Sequence, residues 1–192
     1  MRAITNLVLL LLVSGLLQSA TAQSGGRYTF TSETQLFIDG TSSLHDWTCE
    51  VPKSTGSFTT GDGAPFSIAA GKVSVLVDDI ECGKGTMNSK LREALKINNA
   101  KTVAFQLGSA TVTGQTGNKF SLSLKGNLTI AGTSKPVTLA ATGTQQNGLI
   151  RFEGKYALKQ TDYGVDPPTA LLGRLKTGDE VTVRFVVTSK AN

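Results

Sequence analysis

Apolar and polar residues alternate along much of the chain. In Phe120-Ser121-Leu122-Ser123-Leu124-Lys125-Gly126-Asn127-Leu128-Thr129-Ile130, every second position is apolar apart from Gly126, and every position between is polar. A strand points successive side chains to opposite faces, so this segment has one apolar face and one wet face. Similar patterns, rich in Thr and Val, predict strands near 28–32, 35–40, 45–51, 54–60, 66–70 and 72–80. More are predicted near 102–113, 119–131, 136–146, 149–159 and 180–189, with some neighbours merging. Turn signals separate them at Gly61-Asp62-Gly63, Gly114 to Asn118, Gly132-Thr133-Ser134, Asn147-Gly148 and Thr177-Gly178-Asp179. Asn147-Gly148 is the strongest hairpin signal, because both residue types tolerate positive φ.

One segment departs from the period of two. From Thr86 to Lys96, Met87, Leu91, Ala94 and Leu95 fall on one face at helical spacing, with Thr86 as the expected N-cap. A second short turn is expected around 167–172. The later strands give apolar faces at Val103, Phe105 and Leu107, at Val137, Leu139 and Ala141, at Ile150, Phe152, Tyr156 and Leu158, and at Val181, Val183, Phe185 and Val187. Antiparallel strands with one apolar face each form a sandwich or a closed barrel. Hairpin-length connections between the last strands favour the barrel. The expected class is therefore all-β: an extended antiparallel up-and-down barrel with one short helix. Eight strands enclose just enough space to be filled by side chains or to hold one small ligand. Periodicity does not distinguish those two states.

The first residues read as a leader. Arg2 precedes an apolar stretch from Leu7 to Leu17, and Ala20-Thr21-Ala22 has the small-x-small form of a cleavage site. A stretch of about 11 residues is too short for a membrane span of roughly 20. The expected organisation is a signal peptide over 1–22, cleaved, and a single domain over 23–192, with a periplasmic or secreted address. Loss of Arg2 lowers the net charge from +5 to +4. The positive charges are scattered and lack interleaved aromatics, which argues against a nucleic-acid partner. No later apolar run is long enough for stable membrane insertion. The oligomeric state is not legible.

The candidate chemistry is sparse. Cys49 and Cys82 are the only cysteines, and an even count in an oxidising compartment favours a disulfide. Two separate buried thiols, or a redox or metal role, are the alternatives. These cysteines with His45, the single histidine, make a poor metal site, and none is expected. Gly83-Lys84-Gly85-Thr86 resembles part of a phosphate loop but fits a loop before a helix better. Asp78, Asp79 and Glu81 read as a solvated strand end. His45 and Asp46 would face opposite ways on a strand, which argues against an Asp–His relay. No catalytic residue is expected. Leu44-His45-Asp46-Trp47 reads as a packed corner or as the lip of a ligand site.

Four stretches, in order, resemble the YceI-like proteins. Ile38 to Trp47 resembles the opening of the family's His-Asp-Trp branch. Asn88 to Lys96 resembles the helix before the strand Thr102-Val103-Ala104-Phe105. Gly126-Asn127-Leu128-Thr129-Ile130-Ala131-Gly132-Thr133-Ser134-Lys135-Pro136-Val137 is similar to the family's core motif, and Tyr163-Gly164-Val165-Asp166-Pro167-Pro168 to its C-terminal portion. The resemblance implies a lipocalin-like barrel holding a polyisoprenoid or similar amphiphilic lipid, such as a quinone tail, and no other cofactor. The expected lining is Phe105, Phe120, Leu122, Leu124, Leu128, Phe152 and Phe185, with Trp47, Met87 and Leu91 at one opening. The rival expectation is a non-catalytic interaction module whose core fills the barrel.

Overall fold

The alternating segments become strands of one antiparallel sheet that closes on itself. The computed structural model describes residues 25–61, 66–170 and 173–192, so the expected signal peptide lies outside the described residues. The strands are β1 (Arg27–Phe30), β2 (Gln35–Ser42), β3 (Trp47–Val51), β4 (Thr55–Thr60) and β5 (Ile68–Leu76). A 3₁₀ turn (Val77–Asp79) and helix α1 (Gly85–Ala94) follow. Then come β6 (Thr102–Thr116), β7 (Lys119–Ile130), β8 (Thr133–Gln146), β9 (Leu149–Lys159), the short β10 (Thr169–Ala170) and β11 (Leu175–Ala191). The ring runs β1-β4-β5-β6-β7-β8-β9-β11 and is closed by β1 on β11, an eight-stranded barrel. β2 continues β1 along the same edge of β11, and β3 pairs with β2. Asn147 and Gly148 both adopt positive φ in the β8–β9 hairpin, as their sequence signal predicts.

The two ends of the barrel are built differently. At the hairpin end, Phe58, Phe66, Phe120 and Phe152 close the interior, with Phe66 and Phe120 stacked at 4.4 Å between centroids. At the helix end the ladder splits twice. β3 and β5 share no ladder, and the gap carries a single bridge, Glu50 to Glu81, of two 2.8 Å hydrogen bonds. The Cys49–Cys82 disulfide lies beside that bridge. Asn88 of α1 supports it, accepting from the Cys82 N–H at 2.7 Å and donating to Glu81. The second split separates β8 from β9, which pair only over Ala141–Gln146 and Leu149–Gly154. Buried Tyr163 and Val165, on the segment after β9, belong to the core at this end.

Several sequence expectations are corrected. The segments near 66–70 and 72–80 merge into one strand, β5, as expected of neighbours, but it ends at Leu76 and the expected strand residues 77–79 form the 3₁₀ turn. Thr86 is not the N-cap. Lys84 is, with extended backbone, and α1 begins at Gly85. The helix therefore starts without a side-chain cap. The β7–β8 turn is Ala131-Gly132, both at positive φ, and Thr133 already belongs to β8. β9 and β11 are not joined by a hairpin but by residues 160–174, with a 3₁₀ turn at Thr161–Tyr163 and β10. His45 and Asp46 lie in the turn before β3 rather than on a strand. Asp78 and Asp79 lie in the 3₁₀ turn directly after β5, and Glu81 follows it. Asp79 pairs with Lys53 at 3.4 Å, and Arg92 reaches Asp78 at 3.1 Å and Glu81 at 3.7 Å.

The disulfide closes a loop with a sequence separation of 33 and fastens the α1 segment to β3. Replacing Cys49 and Cys82 together by Ser is expected to cost about 3–4 kcal/mol on the chain-entropy model. Urea unfolding checks this, and an unchanged midpoint would show that the α1 segment holds its place without the bond.

Candidate functional site

Between the two plugs lies a central cavity of about 210 Å³. Its wall comes from all around the barrel, and among the described residues only Ser57, Lys72 and Tyr156 line it with polar side chains. No carboxylate among the described residues lines it. The space survives because large rings lie flat against the wall. Phe185 rests over Gly154 directly across the β9–β11 ladder. Phe105 covers Gly126, the position that interrupts the alternation of β7, and Phe30 covers Gly56. A Cβ at any of these glycines would come within 2.7 Å of the ring. Neighbouring side chains in proteins do not approach so closely. Each glycine thus holds a ring that would otherwise occupy the lumen.

The expected lining residues fall in three places. Phe105, Leu124, Leu128, Phe152 and Phe185 line the central cavity. Phe120 and Leu122 share their face but sit deeper, in the hairpin-end plug, where Phe120 lies over Gly143. Trp47, Met87 and Leu91 line a separate helix-end pocket of about 190 Å³, together with both cysteines of the disulfide. Central-wall residues not singled out from the sequence include Phe30, Val73 and Val75, while Val103, Leu139 and Val183 fall on the predicted apolar strand faces but not in the expected lining. The alternation of Val73 and Val75 in β5, continued by Val77 in the turn after it, was the available signal for that strand.

The geometry around His45 is that of a turn. Ser42 Oγ donates to the His45 carbonyl at 2.7 Å and accepts from its N–H, so Ser42 does not engage the imidazole. His45 Nδ1 lies 2.7 Å from the Asp46 carbonyl, a contact with backbone and not with the carboxylate. Among the described residues no cluster of three or more His, Cys, Asp or Glu side chains is placed to hold a metal ion. Among them, too, no helix is long and apolar enough to cross a membrane.

The segment after β9 is latched to β11. Asp179 accepts from the Thr161 N–H at 2.9 Å and from its hydroxyl at 2.8 Å. These hydrogen bonds, the backbone one first, hold the Asp179 carboxyl below the ordinary aspartate value. Lys135 of β8 meets the same segment, 3.9 Å from Asp162 and 6.0 Å above the Tyr163 ring.

Comparison with known proteins places this architecture. The YceI-like domain profile matches residues 28–189. No match was found among curated protein sequences. Among solved structures, a polyisoprenoid binding domain from Saccharophagus degradans, implicated in plant cell wall breakdown, superposes with a TM-score of 0.69. It is 12% identical, over 88% of this chain and 100% of that one. BcnA of Burkholderia cenocepacia has a TM-score of 0.68 at 18% identity, over 81% of this chain and 95% of its own. A YceI protein of Campylobacter jejuni gives 0.54 at 17% identity, over 73% and 84%. At these identities the likeness is one of fold.

Two outcomes follow from the site. Gly56→Ala forces the Phe30 ring off the wall and is expected to destabilise by about 1–3 kcal/mol. Combined with Phe30→Leu, the loss is expected to fall below the sum of the two single changes in a double-mutant cycle, and strict additivity would contradict the packing argument. For Asp179, a depressed folded value means that its contribution is present above the ordinary aspartate range and is lost as pH falls through the folded value. The Thr161 amide resonance is expected to shift in an acid titration with a midpoint below 3.8, a shift absent from Asp179→Asn.

Proposed function

The chain belongs to the YceI-like domain family, and from that footing we propose that it is a non-catalytic lipid-binding protein. In this reading it is a periplasmic or secreted member of the His-Asp-Trp branch. It holds the tail of a polyisoprenoid or similar amphiphilic lipid in its central cavity and acts as carrier or store. The observation that carries the reading is the cavity wall: predominantly apolar, with no carboxylate among the described residues that line it, and with rings set over glycines. The polyisoprenoid-binding description of the Saccharophagus degradans neighbour supports the choice of ligand class.

An isoprenoid tail offers no polar handle, so its recognition depends on apolar contact alone. A dry cavity of about 150 Å³ accepts a benzene-sized guest. On that scale the 210 Å³ here takes on the order of eight carbons. Burying them contributes roughly 6 kcal/mol before ordering and association costs, at about 0.8 kcal/mol per carbon. A longer tail requires one plug to yield. The β8–β9 split is the place for this, because no ladder hydrogen bonds hold those strand halves together. Phe105, Leu124, Leu128, Phe152 and Phe185 make the contact surface, and no reacting group is needed.

Native mass spectrometry of the protein from its own host, with organic extraction, is the test. A bound prenyl lipid or other long-chain amphiphile is expected, and Val183→Phe, which fills the cavity, is expected to remove it. An apo mass combined with no uptake of added prenyl lipid would instead support the interaction module with a closed core.

A further inference from the structure

The helix-end pocket shares no lining residue with the central cavity. Buried Val77, Ile80, Leu158, Tyr163 and Val181, of the helix-end core, line neither space. The pocket wall is mostly apolar, with Trp47, Met87, Leu91, Ala94, Val165 and the disulfide, and Ser42, His45, Gln160 and Thr177 add polar side chains to it. On its lip Leu44 is 68% exposed, the most exposed large apolar side chain among the described residues.

The charge at the lip has one sign. Lys90 and Lys176 line the pocket, and among the described residues no carboxylate does. Neither lysine has an ion-pair partner among the described residues. Both are tied to β10: Lys90 Nζ donates to the Thr169 carbonyl at 2.9 Å, and Thr169 pairs directly with Lys176 across the β10–β11 ladder. One apolar hollow with two uncompensated ammonium groups at its mouth is complementary to a molecule with a short greasy chain and an anionic head.

We propose that the helix-end pocket is a second binding site, distinct from the central cavity, for a single-chain anionic amphiphile. Its chain enters between Trp47, Met87 and Leu91, and its carboxylate or phosphate is held at Lys90 and Lys176. The 190 Å³ volume takes on the order of eight carbons, on the scale that seats benzene in about 150 Å³. Both lysines are exposed, so their attraction is screened by salt. Chain burial supplies the affinity, and the lysines supply the choice of an anion over a neutral or cationic head. This site does not depend on what the central cavity holds.

Trp47 is the only tryptophan in the chain, so its emission reports occupancy of this pocket. The experiment titrates the full protein with decanoate, decyl phosphate, decanol and decyltrimethylammonium, all below their micellar concentrations. Saturable emission changes are expected with the two anions, and their ranking separates a fatty-acid carboxylate from a lipid phosphate. Lys90→Glu with Lys176→Glu is expected to weaken anion binding by about tenfold and leave decanol nearly unchanged. Higher salt is expected to weaken the anions alone. Ala94→Leu, which fills the pocket, is expected to abolish the response, while Val183→Phe in the central cavity leaves it intact. An unchanged urea midpoint in each variant verifies folding. Equal affinity for decanol and decanoate, indifference to the lysine reversal, or loss of the signal in Val183→Phe would overturn the proposal.

Discussion

The interior of an eight-stranded barrel is small, and this chain keeps part of it empty by laying rings over bare backbone. An inward glycine on one strand receives the aromatic ring of a strand beside it: Phe30 on Gly56, Phe105 on Gly126, Phe185 on Gly154. Each pair trades one side chain's volume for a flattened neighbour. With alanine at those glycines, the rings would be displaced toward the axis, where the cavity lies. The same arrangement recurs outside the cavity, with Phe120 over Gly143 in the hairpin-end plug and Trp47 over Gly40 at the helix-end pocket. One packing rule therefore shapes both hollows and the plug at the far end.

The helix end gives up hydrogen-bonded closure and replaces it in two ways. Between β3 and β5 the substitute is covalent, the disulfide beside one bridge, with Asn88 filling the hydrogen-bonding needs of the loop. Between β8 and β9 it is a strap held by side chains, with Asp179 at one end and Lys135 against Tyr163. The unpaired edge of β8 carries Lys135 and Pro136, a charge and a residue without an N–H, which discourages pairing with a foreign strand. The outer wall near β3 is tightened differently. Arg184 of β11 grips Asp39 of β2 and stacks on Phe37 at 4.8 Å, and its guanidinium holds the Asp39 carboxyl below the usual range.

Much of this was legible in the chain because side-chain direction in a strand has a period of two. The strands and the inward face of β7 follow from it, and the Asn147-Gly148 hairpin follows from two residues that tolerate positive φ. Height along the barrel axis has no such signature. Phe120 and Leu122 alternate in phase with Leu124 and Leu128, yet the first pair lies in the plug and the second on the cavity wall. Gly126 stood out as a gap in the alternation, but its meaning depends on Phe105, a residue of another strand. The start of α1 was misplaced because Thr86 has the chemistry of a cap while the backbone turns two residues earlier, at Lys84. The helix-end pocket was legible only in part: Trp47, Met87 and Leu91 were grouped at an opening, but the pocket also assembles Ser42, Lys90, Gln160 and Lys176 from segments far apart in sequence.

β11 is hydrogen-bonded to β1, β2, β9 and β10, so the most C-terminal strand is also the one that completes the ring. Thr29 and Asn192, 163 positions apart, are joined by a 2.8 Å side-chain bond, and the Asn192 N–H donates to the Arg27 carbonyl. Such distant partners make closure a late folding event. A nascent chain can form the β6–β9 hairpins early, but its lumen stays open until β11 emerges. The same adjacency sets the first strand of the barrel beside the last: a short linker from 192 to 27 would let the strands of the barrel be joined in a new order, for instance opened in the exposed turn at Asn147-Gly148, while every ladder is retained.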